Sequence, residues 1–314
     1  MNRIIITLAA VLLALDAHAQ TTRPVSPPAP KPTATYDSAF GAYQRGYFLT
    51  AFKEASELAA KNDPQSLTLL AELYANGLGV GRDDGKAAEF YQRAAALNDP
   101  QAMFALAIFR FQGRGGPRDE KAGAALFEQA AKLGNVVAAY NLALIYLEGQ
   151  LYPRDDKRAA ELFMQGARTG HPESQYALAT LYKEGKGVPK DEREATRLMR
   201  QAALAGNIDA MVEFGIAQYN GTETPKDEAA AAQLLLKAAR QNNAVAQNRM
   251  ARIYMAGRGM PANPVEAIKW HMIAKAGGRG DPELDQFAAK QKPEDRDAAD
   301  KAAKKWLSTM PRQP

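Results

Sequence analysis

The side chains that could do chemistry in this chain are few and poorly placed for it. Beyond His18, the histidines are His171 and His271, and neither has a second histidine nearby to share a metal. There is no cysteine, so thiol nucleophiles, thiolate metal sites and disulfides are excluded. No serine stands at S-x-x-K or G-x-S-x-G spacing, and there is no H-E-x-x-H, so the usual hydroxyl-nucleophile and zinc-protease arrangements are missing. Adjacent carboxylates such as Asp155-Asp156 suit a helix start, where negative charge complements the dipole. Glycine pairs such as Gly185-Lys186-Gly187 invite a phosphate-loop reading, but such a loop follows a strand and ends in Lys-Ser/Thr. The sequence therefore assigns no catalytic, cofactor-binding or metal-binding residue and implies no cofactor. His171 reads as a helix N-cap before Pro172. His271 fills a helix position that other copies give to Phe127, Phe163 or Leu235.

Those copies organise the chain. Asp63, Asp99, Asn135, His171, Asn207 and Asn243 begin six units of 36 residues. Most are short polar side chains that accept from the free N–H groups of a first turn, and Pro64, Pro100 and Pro172 follow where proline costs no hydrogen bond. Each first helix carries a small residue four before a bulky one, as in Ala138 and Leu142, on one face. Each stops at a glycine: Gly77, Gly113, Gly149, Gly185, Gly221 and Gly257. A second glycine follows at Gly79, Gly115, Gly187 and Gly259. Leu151 and Glu223 break this pattern, so the third and fifth loops should differ. Second helices start near Asp83, Asp119, Asp155, Asp191, Asp227 and Asn263. Asp191 with Glu194, and Asn263 with Glu266, have capping-box spacing. These helices end at Asn98, Gly134, Gly170, Gly206, Asn242 and Gly278, types that tolerate the left-handed conformation. The expected fold is all-α, a right-handed α-solenoid of helix–turn–helix repeats.

The ends depart from the repeat. Residues 1–19 read as a secretory signal: Arg3, the apolar run Ile4 to Leu15, and Ala17-His18-Ala19 as a cleavage site, with Gln20 first in the exported chain. Residues 20–35 hold five prolines and read as an extended linker. Residues 36–62 form an N-terminal capping helix pair with Gly46 at its turn, 63–278 the six repeats, and 279–314 C-terminal capping helices with a frayed tail. A formal net charge of +5, spread through 314 residues, gives no basic patch for nucleic acid. No stretch after the leader is long and apolar enough for stable membrane insertion. The expected location is the periplasm, with secretion as the alternative.

Helix one reads A-x-x-x-L-A/G-x-x-Y, as in Ala138 to Tyr146. The loop reads G-x-G-V-P-x-D, as in Gly185 to Asp191, and helix two A-x-x-L/W-Φ-x-x-A-A-x-x-G. This resembles the Sel1-like repeat, a relative of the tetratricopeptide repeat. The resemblance implies a non-catalytic protein–protein interaction scaffold or regulator in the bacterial cell envelope, holding a protein or peptide partner on a concave face lined by first helices. A host-interaction factor is a second implied role. A third, binding or cleavage of β-lactams or action on peptidoglycan, belongs to a cysteine-rich branch whose cysteines this chain lacks.

If that geometry holds, three recurring slots face the partner. The apolar and aromatic candidates are Phe104, Ile108, Phe111, Tyr140, Leu144, Leu147, Tyr176, Ile216 and Tyr219, with Lys183 and Arg252, beside Glu148 and Glu184, setting selectivity at the edges. The alternative is that the aromatics pack between neighbouring helices. Oligomeric state is not readable from the sequence.

Overall fold

The computed structural model describes residues 34–309. The expected leader, nearly all of the proline-rich stretch and the last five residues lie outside the described residues. The described chain is helical, with no strand among the described residues. Two helices, α1 (Tyr36–Gln44) and α2 (Phe48–Ala59), precede the repeats. The first helices of the repeats are α3 (Pro64–Asn76), α5 (Pro100–Gln112), α7 (Val136–Glu148), α9 (Pro172–Glu184), α11 (Ile208–Asn220) and α13 (Ala244–Ala256). Their second helices are α4 (Asp84–Ala96), α6 (Glu120–Lys132), α8 (Asp156–Arg168), α10 (Glu192–Ala205), α12 (Glu228–Arg240) and α14 (Pro264–Ala276). Two more, α15 (Pro282–Ala289) and α16 (Pro293–Ser308), follow.

The chain forms two compact units that divide at Leu142 and Ala143, within α7. In the first, α1 packs on α2, α2 on α3, α3 on α4, α4 on α5 and α5 on α6. Its core is built from the small and bulky positions of the repeat, including Ala71, Leu70, Ala107 and Leu106. In the second unit, α8 packs on α9 and the stacking continues to α14, which is covered by α16 and touched by α15. There Leu178, Ala179, Phe214, Met250 and Ala251 are buried. The indole of Trp306 on α16 meets that of Trp270 on α14 edge-on at 5.3 Å. An apolar end that would otherwise face water is thereby covered.

Local punctuation follows the side chains that demand it. Asp63 Oδ2 accepts from Ser66 N at 2.8 Å, and Asn207 Oδ1 from Ala210 N at 2.9 Å. His171 serves as an N-cap, its Nδ1 accepting from Ser174 N at 3.3 Å. The two expected capping boxes are only half formed. Asp191 accepts from Glu194 N at 3.0 Å, but the Glu194 carboxylate turns to Arg197. Likewise Glu266 pairs with Lys269 and accepts from Trp270 Nε1. A nearby cation or indole outcompetes a backbone N–H that water can satisfy. A reciprocal box forms instead at Thr35 and Ser38.

The second loop glycine has a steric reason. A Cβ at Gly187, where φ is +69°, would collide with the carbonyl oxygen of Asp156 at the start of α8, and one at Gly259 with that of Glu228 at the start of α12. Each loop thus lies directly against the preceding second helix. Glu223 stands where that glycine is missing and still takes a left-handed φ of +63°.

Candidate functional site

The candidate residues fall into different surroundings. In the first unit, Phe104 and Phe111 both pack on the buried ring of Phe127 in α6, at 5.7 and 5.5 Å between centroids. Gly123 makes room for the Phe111 ring, because a Cβ there would meet it. Ile108 is 6% exposed and belongs to the core. Tyr140 is half-buried. Phe104 and Phe111 thus join the two helices of a repeat while each stays partly exposed.

In the second unit the same slots line two clefts. The first, about 250 Å³, lies among α9, α10 and α11 and the loop after α11; Lys183, Met199, Phe214, Ile216 and Glu223 form its walls. The second, about 240 Å³, is bounded by Ile216, Tyr219, Leu235, Arg252, Met255 and Arg258. Ile216 is the wall they share. The first cleft opens where Glu223 replaces the loop glycine. Thr222 and Glu223 of that loop face Ala195, Thr196 and Met199 of α10 across it.

Polar groups frame these clefts. Tyr176 Oη donates to Glu213 Oε1 at 2.7 Å, tying α9 to α11. Lys183 pairs with Glu223 at 3.4 Å. Arg258 pairs with Glu228 and lies over the Tyr219 ring. Leu144 and Leu147 are half-buried, and Glu148 and Glu184 are exposed.

Arg252, the expected edge residue of this face, has carboxylate partners within the chain. It pairs with Asp281 at 2.7 Å and Glu283 at 2.8 Å, both from the α15 start. Asn248 Nδ2 donates to the same Asp281 carboxylate at 3.1 Å. These partners hold the Asp281 carboxyl below the usual carboxylate range against the opposing effect of its burial. The first unit has a counterpart: Thr68, in the slot of Asn248, donates to Asp99 at 2.7 Å. A polar side chain in that slot meets an aspartate at the next helix start.

Arg249, which lines the second cleft, went unrecognised in the sequence. Its signal was available: the slot holding Leu69, Ala105 and Ala177 turns charged at Glu213 and Arg249.

The histidine of α14 sits in a different place. His271 is 3% exposed and its Nε2 lies 2.8 Å from Asp285 of α15, which also pairs with Lys275. The adjoining cavity is lined by His271, Met272, Lys275, Asp285, Arg296 and Asp300 among others, with no hydroxyl or thiol in its wall. An imidazole–carboxylate pair without a nucleophile there joins two helices. Among the described residues no group of three or more His, Asp or Glu could hold a metal ion, and no helix is long and apolar enough to cross a membrane.

The Sel1 repeat family model matches the chain six times in succession, at residues 64–99, 100–135, 136–171, 172–207, 208–243 and 244–278. The chain belongs to the Sel1 repeat family. A Sel1 repeat protein from Oxalobacter formigenes has a similar structure, with a TM-score of 0.71 at 24% identity, over 77% of this chain and 100% of that one. The c5321 protein of uropathogenic Escherichia coli, a protective antigen with the same fold, aligns with a TM-score of 0.56 at 25% identity, over 87% of this chain and 68% of its own. No curated protein matches the chain. The Sel1 repeat fold is commonly a scaffold for protein interaction.

Proposed function

We propose that this Sel1 repeat protein is an exported, non-catalytic interaction scaffold of the bacterial cell envelope. It seats a protein or peptide partner along the first helices of its second unit. The observation that carries this reading is the pair of clefts on either side of Ile216. Each is smaller than the roughly 300–1,000 Å³ of a small-molecule site and suits one apolar side chain. Two such clefts with one shared wall fit two side chains of the same ligand. The rims, with Lys183, Glu213, Arg252 and Arg258, supply the polar border typical of a docking surface. Export is supported by the leader-like residues 1–19.

A photo-crosslinking residue placed in living cells at Tyr219 should capture a defined partner, and one at Lys237, exposed on α12, should not. More efficient capture of the same partner from Lys237 would overturn the site. Cell fractionation tests the location: periplasmic recovery supports an envelope role, whereas recovery from the medium favours the host-facing alternative.

A further inference from the structure

The second cleft does not end at its apolar wall. Arg249 and Arg252 line it and also line a neighbouring polar hollow of about 320 Å³, whose floor includes Arg279 and Asp281. The guanidinium of Arg252 is committed to Asp281 and Glu283. Arg258, on the far side of the cleft, is committed to Glu228. Arg249 and Arg279 form no ion pair or side-chain hydrogen bond among the described residues, and both are exposed. Two unpaired guanidinium groups therefore line the hollow, and one of them, Arg249, also lines the apolar cleft. The buried Asp281 in the same hollow is already satisfied by Arg252 and Asn248. Such a shelf attracts a carboxylate and repels a cation.

We infer that the partner is an acidic protein segment, in which a bulky aliphatic or aromatic residue enters the cleft by Tyr219 and an aspartate or glutamate within a few residues lies on Arg249 and Arg279. This rests on the docking reading above and adds the chemistry of the ligand. An occupant that fills the cleft must lay its neighbouring residues over the hollow, because the two share Arg249 and Arg252. Planar guanidinium groups grip carboxylates in two-point contacts that lysine cannot copy. Part of the affinity is then electrostatic and falls with added salt.

The test uses the purified full chain and three sets of fluorescein-labelled dodecapeptides read by polarisation. Every peptide has a central leucine or phenylalanine; its neighbours are two glutamates, two glutamines or two lysines. Glutamate peptides should bind at least tenfold more tightly than their glutamine counterparts at low salt. The double variant Arg249→Ala with Arg279→Ala should bring the two sets within about twofold, and both exposed substitutions leave the helical signal unchanged. Tyr219→Ala should weaken all sets. If glutamine peptides bind as well as glutamate peptides and Tyr219→Ala still weakens them, the acidic ligand is wrong and the cleft stands. If no set binds, both readings fall.

Discussion

Lys183 Nζ lies 3.4 Å from the Glu223 carboxylate across one end of the first cleft, and Glu223 holds a left-handed backbone to get there. Both side chains are about half exposed, at 51% and 46%, so the ion pair itself contributes little. The backbone matters more. A non-glycine residue in that region costs about 1 kcal/mol, which glycine would relieve at some cost in unfolded-state entropy. Glu223→Gly should therefore raise stability by about 0.5 kcal/mol in urea unfolding, while Lys183→Ala changes it by less. A glycine there would also permit the close approach to α10 that Gly187 makes to α8, and Glu223 lines the cleft, so capture of a partner from a crosslinker at Ile216 should drop. Unchanged capture would separate the cleft from the loop.

Two glycines on either side of α9 should respond differently to alanine. Gly170 has φ +85°, and a Cβ added there would meet nothing within 4 Å, so Gly170→Ala carries only the backbone penalty, about 1 kcal/mol. Gly187 has a similar φ, but its Cβ would strike the Asp156 carbonyl. Gly187→Ala must also push the loop off α8 and should cost about 3 kcal/mol or more. Paired thermal melts check the ordering. Equal losses would mean that the loop's approach to α8 is of no energetic consequence.

Burial of Glu72 should make stability depend on pH. Its carboxyl is pushed up to about 7, chiefly by burial and further by the Asp99 carboxylate. The folded state thus holds a proton there that the unfolded chain releases near pH 4.5. Stability from this group is greatest below that value and is lost as pH rises through about 7. Glu72→Gln should leave stability unchanged at pH 4 and raise it at pH 8, by about 2 kcal/mol. A gain of equal size at both pH values would assign the effect to packing.

Most of the architecture could be read from the sequence, because each repeat must start, pack and stop its helices with the same few side chains. Asp63 and Asn207 as caps, and Gly170 and Gly187 as left-handed positions, follow from single-residue chemistry. The candidate surface was harder to read. Phe111 packs inward beside Gly123, the one glycine in a slot of alanines, which admits its ring from the neighbouring helix, and a spacing argument does not show this. Arg252 finds its carboxylates at the start of α15, in its N-cap Asp281 and in Glu283, beyond the point where the 36-residue spacing slips, so no periodic argument could pair them. The clefts are walled by residues of neighbouring helices and loops, whose separation in space a pattern does not carry.

The C-terminal cap should be the most sensitive part of the second unit. Trp306 is half-buried and packs edge-on against Trp270, which is 2% exposed. Removing the outer indole strips cover from the inner one and leaves a gap between α14 and α16. Trp306→Ala should cost about 3 kcal/mol. The loss is local to the end of a stack whose helices touch mainly their sequence neighbours, so hydrogen exchange should accelerate in α14, α15 and α16 before it does in α9 and α10. Trp306→Phe keeps an aromatic edge on Trp270 and should recover at least half of the stability. Uniform acceleration through α9 to α16 would instead mean that the second unit opens as one cooperative body, with the cap setting the stability of the whole.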